Sequence, residues 1–305
     1  MAKWFSEHRV VLIRWAGTLL AVLLLLILLR EEKWEDIVLA VRQVSLRQFL
    51  LAFALMIVSR LFVVGRWHVL MRSGGVNISV KESAALTFTG LFASNFLPTT
   101  VGGDLARFAG AMQLGFDRAV CLASLVADRL IGMLGMVFAL PFGLVPFIQS
   151  LALVSSKTIA FTPFIQKILG FIRRTFSTFS IWLKKPLALV LSLGFTLGNM
   201  AFIFASIYVL TSGLGRDVSY WLIAGLWSLT YFITLVPVSI NGYGVQEFSL
   251  TYLLAKLGGL DHAQSVTIAV LIRLLFILAS TPGAIYLPAI LSAMNRNQES
   301  QLNEL

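Results

Sequence analysis

The order of apolar and polar positions divides the chain into long uncharged runs separated by short charged stretches. Trp15–Leu29, Ser83–Gly103, Leu130–Ser156, Pro186–Gly215, Val218–Gln246 and Leu274–Asn295 contain no Asp, Glu, Lys or Arg. A helix needs about 20 predominantly apolar residues to cross the hydrocarbon layer, and several of these runs are that long. None alternates apolar and polar residues, as the strands of a membrane barrel do. The pattern predicts an all-α polytopic membrane protein with about 6–8 transmembrane helices.

Read in order, a first helix is expected over about 10–29, and 31–46 form a charged amphipathic helix at the interface. Lys3, Arg9 and Arg14 before the first run resemble a secretory signal, but Leu29 is followed by Arg30-Glu31-Glu32 and no small-residue cleavage site. The run is therefore read as a retained transmembrane helix. A second helix over about 47–66 is interrupted by Arg60. A broken segment at 82–116, a long helix at about 118–148 and a basic stretch at 150–185 follow. A helix at about 186–212, a second broken segment at about 219–257 and a last helix at about 262–291 complete the chain.

The two interruptions share a grammar. The first reads Asn95-Phe-Leu-Pro98-Thr-Thr-Val-Gly102-Gly103-Asp104, and the second Pro237-Val-Ser-Ile-Asn241-Gly242-Tyr243-Gly244-Val-Gln-Glu247. Each has a proline, then a pair of glycines, then an acid. The chain is thus expected to be one integral membrane domain, 1–305, with half-repeats at 47–148 and 186–291 joined by the basic segment 149–185. Paired Gly/Pro-interrupted segments in corresponding positions point to a transporter's binding site.

Orientation follows from basic residues. The acid-free segment 173–185 and the N-terminus are expected in the cytoplasm. If the breaks are re-entrant, the favoured case, the first enters from the cytoplasm, the second from outside, and Thr158–Ile172 must cross. If the broken segments cross fully, Thr158–Ile172 lies in the interface. Either way the halves are inverted.

Composition agrees with the pattern. The chain is 58% hydrophobic and 12% charged, against about 45–50% and about 25% in soluble domains. Its net charge of +10 flanks apolar runs, so anionic lipid headgroups rather than nucleic acid are the expected counter-charge. Cys121 is the single cysteine, and His8, His68 and His262 are scattered. No disulfide framework, metal site or cofactor is expected.

The breaks carry chemistry because backbone groups in hydrocarbon must be hydrogen-bonded. A helix restarting after Gly102-Gly103 offers free N–H groups and a positive dipole end to an anion, with Arg107 one turn on. Asp104 and Glu247 face a substrate or merely cap the helices they begin; both readings stand. Asp104, Asp128 and Glu247 are the acids expected at membrane depth, and Arg60, Arg107, Arg129 and Arg273 the bases. Each such group costs about 2.5–3.5 kcal/mol to insert, so they must pair or face water. Asp128 and Arg129 point about 100° apart on a helix, so each needs a partner elsewhere. These charges are structural ion pairs or the lining of a headgroup cavity. The excess of one arginine favours an anionic ligand. Arg66-Trp67 is expected to end its helix as an interface anchor. Asn199 and Tyr231 are expected to make helix–helix hydrogen bonds.

Asn95-x-x-Pro98-x-x-x-Gly102-Gly103-Asp104-x-x-Arg107, the acid–Arg pair Asp128-Arg129, Pro237-x-x-x-x-Gly242-x-Gly244-x-x-Glu247 and Arg273 together resemble the lysylphosphatidylglycerol synthase transmembrane region family, also described as flippase-like. The resemblance covers about 10–290. The family usually has Glu where this chain has Asp128. The resemblance implies a membrane domain that moves aminoacylated or other anionic phospholipids, or polyprenyl-linked lipids, between leaflets. The chain ends at Leu305 after a short polar tail, so the soluble synthase domain of full-length members is not expected, nor is enzyme activity.

The expected function is therefore lipid transport in the cell membrane. Phospholipid headgroups are the expected partners, and a separate lipid-modifying enzyme or a second copy of the chain would be compatible with this reading. A proton- or ion-coupled solute transporter and an intramembrane lipid-modifying enzyme are the alternatives. The residues expected to contact substrate are Asn95, Gly102, Gly103, Asp104, Arg107, Asp128, Arg129, Asn241, Gly242, Gly244, Glu247 and Arg273, with Pro98 and Pro237 making the breaks.

Overall fold

The structure, a computed structural model, describes residues 34–96, 102–152, 185–235 and 242–288. The expected first helix, the basic stretch 153–184 with Thr158–Ile172, and Pro98, Pro237 and Asn241 lie outside the described residues.

Every described element is helical. They are α1 (Trp34–Gln43), α2 (Leu46–Ser73), α3 (Val80–Ala93), α4 (Gly102–Gln113), α5 (Arg118–Ala139), α6 (Pro141–Ala152), α7 (Pro186–Gly213), α8 (Tyr220–Thr234), α9 (Val245–Leu257) and α10 (His262–Ser280), followed by a 3-10 turn at Thr281–Ile285. Four helices are long and apolar enough to cross a membrane: α2, α5, α7, and α10 with its 3-10 turn. With the shorter apolar helices α6 and α8, they make this an integral, multi-pass membrane protein.

Local chemistry sets the helix ends. Ser45 opens α2 with a capping box in which its side chain accepts from the Gln48 N–H and Gln48 accepts from the Ser45 N–H. Ser79 and Glu82 do the same for α3, and Asp261 and Gln264 for α10. Each box satisfies two N–H groups that a helix start would otherwise strand. Asp117 caps α5 through the Val120 N–H.

Three boundaries differ from the sequence reading. Arg60 does not interrupt α2, because its side chain lies along the helix against Met56 and over the Phe276 ring; the helix runs on to Ser73. The long helix expected at 118–148 is two, because Pro141 has no N–H to continue the ladder beyond Leu140. The last helix stops at Ser280 rather than 291, where Thr281-Pro282-Gly283 tightens the chain into the 3-10 turn.

The fold centres on α2 and α7, which pack antiparallel. Ser206 donates to the Ala52 carbonyl, Ser59 to Asn199, Arg66 to Thr196, and Lys185 to the Ser73 carbonyl. Positions rising along α2 thus meet positions falling along α7. Gly65 receives the Phe195 ring and Gly198 the Phe62 ring, the close approach that small residues permit between membrane helices. The Ser59–Asn199 bond is the helix–helix contact expected of Asn199.

Around this pair the chain repeats itself. Helices α2 to α5 have 28, 14, 12 and 22 residues, and α7 to α10 have 28, 15, 13 and 19. Gly75 and Gly215 turn the chain after the first helix of each set, with φ of 97° and 69°. Gly115 and Gly259 do so after the third, at 73° and 70°. Ser79 and Ser219 precede the second helices, and Asp117 and Asp261 the fourth. Within each set the second and third helices are short and meet at a break: Gly90 of α3 lies against Gly103 of α4, and α8 packs on α9.

Helix α6 meets α8 backbone to backbone, and a Cβ on Gly225 would overlap Gly143. Gly225→Ala is therefore expected to destabilise the protein by about 1–3 kcal/mol, read as a lower melting temperature in detergent. An unchanged melting temperature would show that the contact is not tight.

Candidate functional site

The buried charges meet where α4, α5, α9 and α10 converge on the α2–α7 pair. Each half contributes the same ion pair. Arg129 Nε of α5 donates to Asp104 Oδ2 at the start of α4, and Arg273 Nε of α10 donates to Glu247 Oε1 at the start of α9. These four residues occupy matching places in the two sets of helices. Glu247 serves twice: its other oxygen accepts the Gly244 N–H at 2.7 Å and caps α9. Capping, one of the two roles the sequence allowed this residue, is combined here with an ion pair.

The first half adds more charge. Asp128 is 3% exposed. One of its oxygens accepts Arg66 Nε at 2.6 Å and the other Arg107 Nη1 at 3.0 Å. Arg107 also reaches Asp104 at 3.3 Å, so Arg66, Asp128, Arg107, Asp104 and Arg129 form one chain of contacts. As the helical angle requires, the adjacent Asp128 and Arg129 point to different partners. Desolvated charges are tolerated when paired in this way and are costly when one partner is removed.

Three of the arginines lie on aromatic faces. The guanidinium carbon is 4.3 Å from the Trp67 ring centre for Arg107, 4.4 Å from Tyr243 for Arg273 and 4.5 Å from Phe276 for Arg60. Stacking shields one face of the planar group and leaves its in-plane N–H donors for acceptors.

A cavity of about 390 Å³ opens among these groups. Arg60, Arg66, Arg107, Arg129 and Arg273 line it, as do Asp104 and Asp128. Asn199, Tyr231, Trp227 and Met200 add mixed polar and apolar wall.

The structure brings Asn95, Asp104, Arg107, Asp128, Arg129, Gly242 and Arg273 to this cavity. Asn95 also donates to Ser280 at 2.9 Å, tying the end of α3 to the end of α10. Glu247 stands behind Arg273, outside the cavity wall. Gly102 and Gly103 are buried at the start of α4, where a Cβ on Gly103 would overlap the Gly90 carbonyl. Gly242 and Gly244 have φ of 72° and 77°, which glycine adopts without strain. Among the described residues, no group of three His, Cys, Asp or Glu side chains is placed to hold a metal ion.

The sequence reading placed Arg66-Trp67 at the interface, and the structure corrects this. Arg66 is 8% exposed and bonded to Asp128, and Trp67 is fully buried, its Nε1 donating to Ser124 at 3.1 Å. The signal was in the spacing: Ala52, Met56, Ser59, Val63, Trp67 and Leu70 recur every three or four residues and form one buried face of α2. That face carries Arg66 inward.

Asp128→Asn is expected to cost about 3–5 kcal/mol by leaving Arg66 and Arg107 without their carboxylate. The double variant Asp128→Asn/Arg66→Met should recover part of that loss. Thermal unfolding in detergent checks both, and additive losses would show that the two residues do not interact.

The sequence model of a family described as Lysylphosphatidylglycerol synthase TM region matches the chain over residues 14–165 and 150–283. No curated protein matches the chain.

Proposed function

The chain belongs to the lysylphosphatidylglycerol synthase transmembrane region family, and on that premise we propose that it moves a phospholipid or polyprenyl-linked lipid, anionic or aminoacylated, between leaflets of the cell membrane. The observation that carries this reading is the arginine-lined cavity enclosed by the two halves. Arginine grips phosphate through two parallel N–H donors, and intramembrane ionisable groups facing a cavity mark substrate pathways.

The fold supports transport over catalysis. In this reading α3–α4 and α8–α9 are re-entrant hairpins of an inverted repeat. A 14-residue helix is about 21 Å long, short of the roughly 30 Å hydrocarbon layer. The antiparallel α2–α7 pair gives the halves opposite directions. The two hairpins then enter from opposite faces, the arrangement in which transporters hold substrate near the midplane. In the same reading the N-terminus and the basic segment 173–185 lie in the cytoplasm, as their positive charge favours. No reaction needs to be assigned to the carboxylates, whose observed partners are arginines.

In proteoliposomes, Asp104→Asn and Glu247→Gln should each slow transbilayer movement of a fluorescent phospholipid by about tenfold or more, since each releases the arginine that its carboxylate holds in place. Unchanged movement in both variants would overturn the reading.

A further inference from the structure

The two halves are alike in scaffold but unlike in charge. Aligned on their helix starts and on the shared pairs Asp104–Arg129 and Glu247–Arg273, the first half's Arg60, Arg66, Arg107 and Asp128 stand where the second half has Met200, Ser206, Leu250 and Ile272. The shared pairs are neutral. The added residues are three arginines against one aspartate, which leaves two positive charges on the cavity wall. Arg60 is 8% exposed, lines the cavity and has no carboxylate partner among the described residues. It rests against the Met56 sulfur and the Phe276 ring.

Donors outnumber acceptors in the same place. Arg107 Nε and Nη2 and Arg273 Nη2 are buried without a hydrogen-bond partner among the described residues. A buried guanidinium with unsatisfied N–H groups is costly, and a ligand with several anionic oxygens removes that cost. An ammonium group would meet the opposite situation. Both carboxylates in the wall already hold arginines, so it would add positive charge to an excess of positive charge.

We propose that the cavity is built for a terminal phosphate monoester, a headgroup carrying close to two negative charges, on a lipid tail. This rests on the transport reading above for the lipid tail, and it narrows the substrate class within that reading. A phosphodiester such as phosphatidylglycerol brings one negative charge and fewer acceptor oxygens. A lysyl-esterified headgroup brings ammonium groups that the cavity has no free acid to receive. Arg60 supplies the charge that separates the monoester from the diester.

The test is binding to the purified full-length protein in detergent, using dioctanoyl phosphatidate, dioctanoyl phosphatidylglycerol, dioctanoyl lysyl-phosphatidylglycerol and inorganic phosphate as probes. Phosphatidate should bind at least about tenfold more tightly than the other three, the weight of one charge-assisted contact. Its affinity should rise between pH 5 and pH 7.5 as the monoester loses its second proton near about pH 6, while that of phosphatidylglycerol stays flat. Arg60→Met, which installs the residue of the second half, should weaken phosphatidate about tenfold and phosphatidylglycerol by less than about twofold. Arg60→Lys should restore part of the preference, and both variants should elute as a single species like the parent protein. Equal or tighter binding of the diester, of the lysyl lipid or of free phosphate would overturn the proposal, as would no binding or an equal loss for both lipids in Arg60→Met. Monoester-selective binding without transbilayer movement of fluorescent phosphatidate in proteoliposomes would leave the headgroup assignment standing and remove the transport reading. Movement of phosphatidylglycerol or lysyl-phosphatidylglycerol at the rate of phosphatidate would do the reverse.

Discussion

Asp128 accepts Arg66 through one oxygen and Arg107 through the other, and so holds α2, α4 and α5 to one another at a single buried point. At 3% exposure, this carboxylate fixes both the packing of three helices and the positions of two arginines. Arg107 passes the constraint to Asp104, and Asp104 to Arg129. Five charged groups of the cavity wall, Arg66, Asp128, Arg107, Asp104 and Arg129, therefore form a continuous ionic chain. Its geometry depends on helices whose starts are pinned independently by Ser45, Ser79 and Asp117.

The repeat explains how such a wall arises without disrupting the fold. The scaffold needs only what both halves share: the antiparallel α2–α7 pair, the glycine turns, the Asp117 and Asp261 caps and one acid–arginine pair per half. Those pairs each lock the restart of a broken helix to the helix that follows it. Once the scaffold is held, the first half is free to carry further charge, while the second half keeps Met200, Leu250 and Ile272 in its core at the matching places. Symmetry thus governs architecture, and departure from symmetry governs electrostatics.

Much of this was legible in the sequence. Helix existence, both breaks and most helix starts follow from uncharged runs bounded by Ser, Asp, Gly and Pro. The divergence of Asp128 and Arg129 follows from the angle between neighbouring residues on a helix. What was not legible depended on which face of a helix meets which neighbour. Arg66 followed by Trp67 has the composition of an interface anchor, and only the register of α2 against α5 and α7 turns it inward. Pro141 was read as part of a long helix because Leu130–Ser156 carries no charge, and the absence of charge does not reveal where a backbone donor is missing. Glu247 could be assigned to a cap or to a ligand from sequence; its two oxygens do separate work, which only coordinates display.

The arginine-lined cavity is proposed to receive a lipid phosphate from the bilayer. Cryo-electron microscopy of the protein in nanodiscs containing native lipid tests it most directly. Headgroup density is expected within the cavity, in contact with Arg60, Arg107 and Arg273, with an acyl or prenyl tail leaving toward the membrane. A cavity holding only water, with lipid confined to the outer surface of the helices, would contradict it.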